Sequence, residues 1–288
     1  MIDGMSGESL PSDLIDGLRV RSARPVSGGD IARAYRLETP DGTLFLKWRP
    51  QAAPGLFERE ALGLRALRAH ASGLGVPQVL RSSPSGLVLE WIEAGPGSAG
   101  ADEDFGRALA GLHRTAGPAF GALDGGRTGY LGSQPVDLTP TGDWPEFYRD
   151  RRLRPLMRRA VELGRLPESA MGLLESLDAR ELCGPAEPPA LVHGDLWAGN
   201  RMVDVRGRNW LIDPASFWAH REVDLAMMAL FGGFGAGAFA AYDETFPLAD
   251  GWRDRVDWYQ LAPLLVHAVL FGGGYGRRAL AVVQSYAR

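Results

Sequence analysis

The sequence predicts an α+β chain in two lobes: an antiparallel N-terminal sheet carrying one main helix, then a larger, mostly helical part. Three observations lead there. Apolar and polar residues alternate over residues 18–48, with turn chemistry between the runs. The period becomes helical after Pro54, and beyond Ile92 nearly every periodic segment is helical. A length of 288 residues suits two lobes around a cleft, because single cores rarely grow beyond about 250–300 residues.

Taken in order, LRVRSARPV, IARAYRLE and TLFLKW read as three strands, joined by SGGD and TPDG. Phe57, Glu60, Leu64 and Leu67 then follow at offsets of three, four and three, so one helical stripe contains a single acid. Residues 78–81 and 86–91 read as two short strands around SSPS, and IEAGPGSAG breaks the pattern. The lobe boundary is therefore expected near Ile92, dividing the chain into residues 1–92 and 93–288. Helices are expected over residues 104–115, 144–161, 169–182, 223–231 and 252–270, with short strands at 201–205 and 209–212. The Gly/Ala-rich FGGFGAGAFAAY indicates tight helix packing.

Composition removes several classes of function. A hydrophobic fraction of 45% and a charged fraction of 23% describe an ordinary globular chain. A net charge of -4 provides no footprint for a polyanion, so neither nucleic acid nor an anionic membrane is an expected partner. The single cysteine, Cys183, can form neither an internal disulfide nor a thiolate metal site and fits a reducing compartment. MIDGMSGESLPSDL lacks the apolar core of a secretory signal, and no run of about 18 apolar residues is present. A cytoplasmic monomer is expected.

The order of elements suits a kinase-like architecture, but the chemistry rests on particular residues. Phosphoryl transfer needs a lysine for the phosphates, oxygen ligands for magnesium and a base for the attacking hydroxyl. LVHGDLWAGN provides His193, Asp195 and Asn200, the acid and the amide five residues apart as in a kinase catalytic loop. Thirteen residues after Asn200, the strand NWLI runs into Asp213, a candidate Mg²⁺ ligand whose other reading is a turn-forming acid before Pro214. Lys47 is the only lysine among 31 basic residues and lies in an apolar strand, where a bare ammonium would be costly; Glu60 is its expected partner. Gly28, Gly29 and Asp30 form a turn that is either a plain hairpin or a close approach of backbone to phosphate. Glu90 and Ile92 stand where a kinase linker would meet adenine through its backbone.

Other residues read as structural. His113 fits a satisfied histidine on an amphipathic helix, while Asp224 either favours a helix N-terminus or braces the catalytic loop. The basic run RDRRLRPLMRR at residues 149–159 reads as a solvated helix face, its alternative being to steer an anionic substrate.

HGDLWAGN, then IDPASFWAHREVDLAMMALFGGF and LLVHAVLFGGGYG, resemble the fructosamine (ketosamine) kinase family over nearly the whole chain. The resemblance implies a protein-kinase-like fold and transfer of the ATP γ-phosphate to a sugar hydroxyl of a ketosamine, typically that on carbon three. It implies Asp195 as base, Asn200 and Asp213 as magnesium ligands, and Lys47 with Glu60 as the phosphate-anchoring pair. Gly28 and Gly29 would then belong to a phosphate loop, and Trp197 would lie beside the substrate. Ala32 and Asp30 depart from relatives that carry Asn and Cys there, so redox control through that loop is not expected. IDPAS lacks the Phe and Gly of the protein-kinase metal motif and no APE follows, so an activation-loop switch is not expected either.

Two rival readings of these residues stay open. Aminoglycoside and choline kinases of the same fold more often read HGDLHPGN, and Trp197 distinguishes this chain from them. A catalytically dead nucleotide-binding scaffold would not need Lys47, Glu60, Asp195, Asn200 and Asp213 together.

Overall fold

The computed structural model describes residues 10–26 and 32–287. Gly28, Gly29 and Asp30 lie outside the described residues.

After a short helix, α1 (Ser12–Ile15), the strands β1 (Ser22–Pro25), β2 (Arg33–Thr39) and β3 (Gly42–Trp48) lead into α2 (Leu56–His70), followed by β4 (Val79–Ser83) and β5 (Gly86–Glu90). The five strands form one antiparallel sheet in the order β1-β2-β3-β5-β4. The first strand is shorter than its alternation suggests, because Val20 N–H bonds back to Leu18 in a tight turn before pairing begins. The period of two sorts the faces of β3: Leu46 and Trp48 join Leu37, Val88 and Leu14 in one apolar cluster. Lys47 falls on the opposite face, opposite Leu87, which packs with Phe57, Leu64 and Leu67 of α2. The lone lysine is thereby turned toward α2.

The helical part begins with α3 (Ala101–His113) and a hairpin, β6 (Thr128–Leu131) with β7 (Gln134–Asp137), that the sequence patterns did not disclose. The expected helix over 144–161 forms as α4 (Trp144–Glu146), a π-helical turn (Phe147–Leu153) and α5 (Arg154–Glu162). The expected helix over 169–182 is instead two, α6 (Ser169–Ser176) and α7 (Ala179–Leu182). Leu177 turns extended, and the Asp178 side chain restarts the helix by accepting from Arg180 N–H at 2.8 Å.

Three-residue strands follow: β8 (Ala190–Val192), β9 (Arg201–Val203), β10 (Asn209–Leu211) and β11 (Phe217–Ala219). They pair as β9 with β10 and β8 with β11. The chain ends in α8 (Glu222–Phe231), α9 (Ala236–Thr245), α10 (Val256–Phe271) and α11 (Tyr275–Tyr286). Small residues do allow close packing here: a Cβ on Gly106 of α3 would sit 2.0 Å from the Ala238 carbonyl oxygen of α9. Among the described residues no helix is long and apolar enough to cross a membrane.

Candidate active site

The β9–β10 hairpin explains a spacing. Arg201 pairs with Leu211, and Ile212 N–H donates to the Asn200 carbonyl at 3.0 Å, so residues 13 apart in sequence emerge side by side. Asn200 precedes β9 and Asp213 follows β10, and both line one cavity of about 630 Å³ with Lys47, Glu60, Asp195 and Trp197.

At one end, Lys47 Nζ donates to both Glu60 oxygens at 3.0 Å and lies 3.1 Å from Asp213 Oδ1. Burial works against the ammonium, but the Asp213 and Glu60 carboxylates outweigh it and hold the lysine charged. Burial also raises the Glu60 carboxyl, opposed by Lys47 and reinforced by the Asp213 charge. Asp213 has φ 52°, in the left-handed region where Asp is one of the few side chains that settle. Gly63 of α2 faces this segment, and a Cβ there would lie 3.2 Å from Ser216 and 3.4 Å from Pro214.

Asn200 Nδ2 donates to the Asp195 carbonyl at 2.8 Å and to Asp195 Oδ2 at 3.1 Å, which leaves Oδ1 as the acceptor of a side chain that lines the cavity. Burial pushes the Asp195 carboxyl up to about 7, with the Asp213 charge adding to it and the Asn200 bond opposing. The loop is cross-tied by His193, whose Nδ1 accepts from Asp195 N–H at 3.3 Å while Nε2 donates to the Ile212 carbonyl at 2.9 Å. Burial lowers the pKa of His193 and keeps it neutral, as this bonding requires.

Asp224 serves in both of its expected ways. It lies in the first turn of α8 and accepts from His193 N–H at 2.7 Å and Gly194 N–H at 2.8 Å. His113 Nε2 meets the same carboxylate at 3.1 Å and its Nδ1 meets Tyr242 Oη at 2.8 Å, so the histidine is a satisfied structural one.

Trp197 is 41% exposed and leans edge-on against Phe231, with ring centroids 6.4 Å apart. A Cβ at Gly199 would lie 2.2 Å from the indole, so the glycine makes room for it. The wall continues through Phe231, His267, Phe271 and Tyr275, a chain of ring contacts from α8, α10 and α11 that sequence reasoning missed. No spacing could have linked them. Glu90 and Ile92 lie outside this cavity's lining; the Glu90 carboxylate is tied to Gln78 N–H at 3.1 Å and Arg68 at 3.3 Å.

The oxygen donors fit Mg²⁺. Asp213 and Asn200 Oδ1 offer hard oxygen donors, and the charge on Asp213 raises both Glu60 and Asp195, so one lysine leaves the acids under-neutralised. No group of three or more His, Cys, Asp or Glu residues gathers as a metal cage among the described residues. Mg²⁺ needs none, since it is commonly held by one or two protein oxygens together with water and substrate phosphates.

A fructosamine kinase family model matches residues 8–288. The probable ketoamine kinase of Enterococcus faecium is 35% identical over 274 residues, covering 91% of this chain and 94% of its own length. A chloroplastic protein-ribulosamine 3-kinase of Oryza sativa subsp. indica is 32% identical over 281 residues, covering 94% and 80%. Among solved structures, a Thermobifida fusca protein assigned as a fructosamine-3-kinase superposes with a TM-score of 0.85 at 39% identity, covering 96% of each chain. The choline kinase of Streptococcus pneumoniae, at 17% identity and a TM-score of 0.65 over 94% and 96% of the two chains, shares the two-lobed kinase-like fold.

Proposed function

The chain belongs to the fructosamine kinase family, and on that footing we propose that it transfers the γ-phosphate of ATP to a sugar hydroxyl, O3, of a ketosamine. The observation that carries this reading is one cavity holding the Lys47–Glu60–Asp213 ion cluster, the Asp195–Asn200 pair and the exposed face of Trp197. The name of the rice relative, a ribulosamine 3-kinase, supports carbon three.

In this mechanism Lys47, fixed by Glu60, anchors nucleotide phosphates, and Asp213 with Asn200 holds magnesium. Magnesium bound there would supply charge neutralisation to the phosphates. Asp195 accepts the proton of the acceptor hydroxyl, and its bond from Asn200 fixes the carboxylate for that step. Trp197 presents an apolar face to the C–H face of the sugar. Residues 1–92 would form the nucleotide-binding lobe, with Gly28, Gly29 and Asp30 in its phosphate loop and the backbone of Glu90 and Ile92 meeting adenine. Residues 93–288 would carry catalysis and acceptor binding.

An aminoglycoside acceptor, being polycationic, would call for a cluster of acids at the acceptor end, where this cavity presents aromatic rings instead. The test is a coupled ATP-consumption assay over fructosamines, ribulosamines, erythrulosamines and aminoglycosides. Turnover with ketosamines is expected, and turnover with aminoglycosides alone would overturn the assignment. Trp197→Ala should cut kcat/KM for a ketosamine by about 10²-fold, the cost of misplacing a reactant by about 1 Å. Background ATP hydrolysis should persist.

A further inference from the structure

The basic run 149–159 divides in two. Arg149, Arg151, Arg154 and Arg159 pair near the surface with Asp150, Glu146, Glu175 and Glu162. Arg152 turns inward. It is 3% exposed, sits in the π-helical turn and lines the same cavity as Asp195 and Trp197. Wide helical turns of this type occur often at functional sites.

Its guanidinium rests on ring faces, 4.5 Å from the centroid of Phe217 and 5.7 Å from that of Phe147. Among the described residues no hydrogen bond or ion pair reaches its side chain, and Nη1 is buried without an acceptor. Burial lowers its pKa to about 10, opposed by the charge of Asp137, which makes no ion pair with it, and the group stays charged at neutral pH. The other two Lys or Arg side chains lining the cavity are engaged, Lys47 with Glu60 and Asp213, and Arg59 with Asp124. A buried cation that no carboxylate contacts is expensive, and a guanidinium fork matches a carboxylate or phosphate.

Phe217 also locates the group. One of its ring carbons lies 3.4 Å from where a Cβ on Gly194 would be, so the catalytic loop packs on the same ring that carries Arg152. Apolar side chains, including Val136, Leu138, Met227 and Val266, line this cavity and offer an anion no other charge partner.

We propose that Arg152 is a specificity-determining residue that pairs with an oxyanion on the acceptor, so that ketosamines bearing a carboxylate or phosphate are preferred over neutral ones. The inference rests on the ketosamine kinase reading above. It has a chemical consequence: a glycated lysine within a polypeptide has its carboxylate consumed in a peptide bond, whereas a glycated free amino acid retains it.

The test measures kcat/KM at saturating ATP with three fructose adducts: of ethylamine, of glycine, and of ethylamine carrying a phosphate on O6 of the sugar. The wild-type enzyme is expected to prefer the glycine or the phosphorylated adduct over the neutral one by about 10- to 100-fold, the usual worth of a charge-assisted bond. Whichever anionic adduct is preferred identifies the source of the oxyanion. In Arg152→Met that ratio should collapse toward one, and Arg152→Lys, which keeps charge without the fork, should retain part of it. Equal kcat/KM for all three adducts in the wild type overturns the proposal without needing a variant. So does an equal loss on all three in Arg152→Met, which marks a structural role, or a rise in KM for ATP alone, which places the guanidinium on the nucleotide. Absence of turnover with every adduct and with the corresponding ribulosamines instead removes the ketosamine reading, and this inference with it.

Discussion

Asp195 must be ionised to accept a proton, yet burial and the neighbouring charge of Asp213 bring its carboxyl up to about 7. A group poised there can both take and release a proton near neutrality, which suits a general base. Asp195→Asn should keep the side-chain volume and lower kcat by about 10²- to 10⁴-fold. Nucleotide affinity measured by calorimetry should barely change; near-normal turnover would remove the base assignment. Asp213→Asn provides a complementary test, because Asn also tolerates the left-handed backbone at φ 52° and Glu60 still holds Lys47. It should abolish the magnesium dependence of nucleotide binding while leaving the fold intact, and an unchanged Mg·ATP affinity would reject its role as ligand. Lys47, Glu60, Asp195 and Asn200 were legible because each leaves a local mark: a lone lysine, an acid on an apolar stripe, a five-residue Asp-to-Asn spacing. Phe231, His267, Phe271 and Tyr275 left none, since three helices bring them together and each alone reads as ordinary apolar packing. Arg152 was hidden for the opposite reason, among arginines whose common fate is solvent.

The catalytic loop is held by an element rather than by itself. Tyr242 of α9, His113 of α3 and Asp224 of α8 form a buried relay that ends on two backbone N–H groups, those of His193 and Gly194. The charge on Asp224 makes these bonds strong, and burial makes their loss costly. Asp224→Asn would turn an N–H₂ toward a donor and leave one of the two amides unpaired, so denaturant unfolding should show a loss of about 2–4 kcal/mol. Turnover should fall as well, and a variant of wild-type stability would show that the relay does not hold the loop. The sequence left Asp224 poised between a helix N-terminus and a brace, and it is both, because α8 begins at the loop it supports. Long elements were legible through their periods, as α2 and α10 illustrate. The strands β8 and β11, three residues each, are too short to show a period of two. The break at Leu177 escaped notice because its apolar side chain continues the helical pattern of α6 while its backbone leaves it.

At the scale of the molecule, the helical part is closed by a buried ionic network in which the titrating member is a histidine. Arg221 binds Glu187 in a fork at 2.7 and 2.8 Å and donates to the carbonyls of Phe246 and Pro247. Arg255 binds Glu222 in a second fork at 2.9 and 2.6 Å. His220 lies between them, 1% exposed, stacked on Tyr259, with Nδ1 accepting from Glu222 N–H at 3.3 Å. Burial, helped by the charges of Arg221 and Arg255 and opposed by Glu187 3.7 Å away, lowers its pKa from 6.5 to about 4. The sign follows from linkage. Above pH 6.5 the imidazole is neutral in both folded and unfolded chains, and its packing contributes in full. Between about 6.5 and 4 the unfolded chain binds a proton that the native state refuses, so stability falls with pH, by at most about 3 kcal/mol in total. Asp195 and Glu60, whose values are raised, act in the opposite sense over part of the same window, so the pH profile of the wild type alone cannot isolate the histidine. A difference measurement can. His220→Asn keeps an acceptor for Glu222 N–H and removes the titration; it should be less stable than wild type at pH 7.5. The gap should narrow steadily as unfolding is repeated down to about pH 4.5, because only the wild type loses the histidine contribution. A gap that stays constant over that range would mean that His220 titrates normally in the folded chain and that the network excludes neither water nor protons.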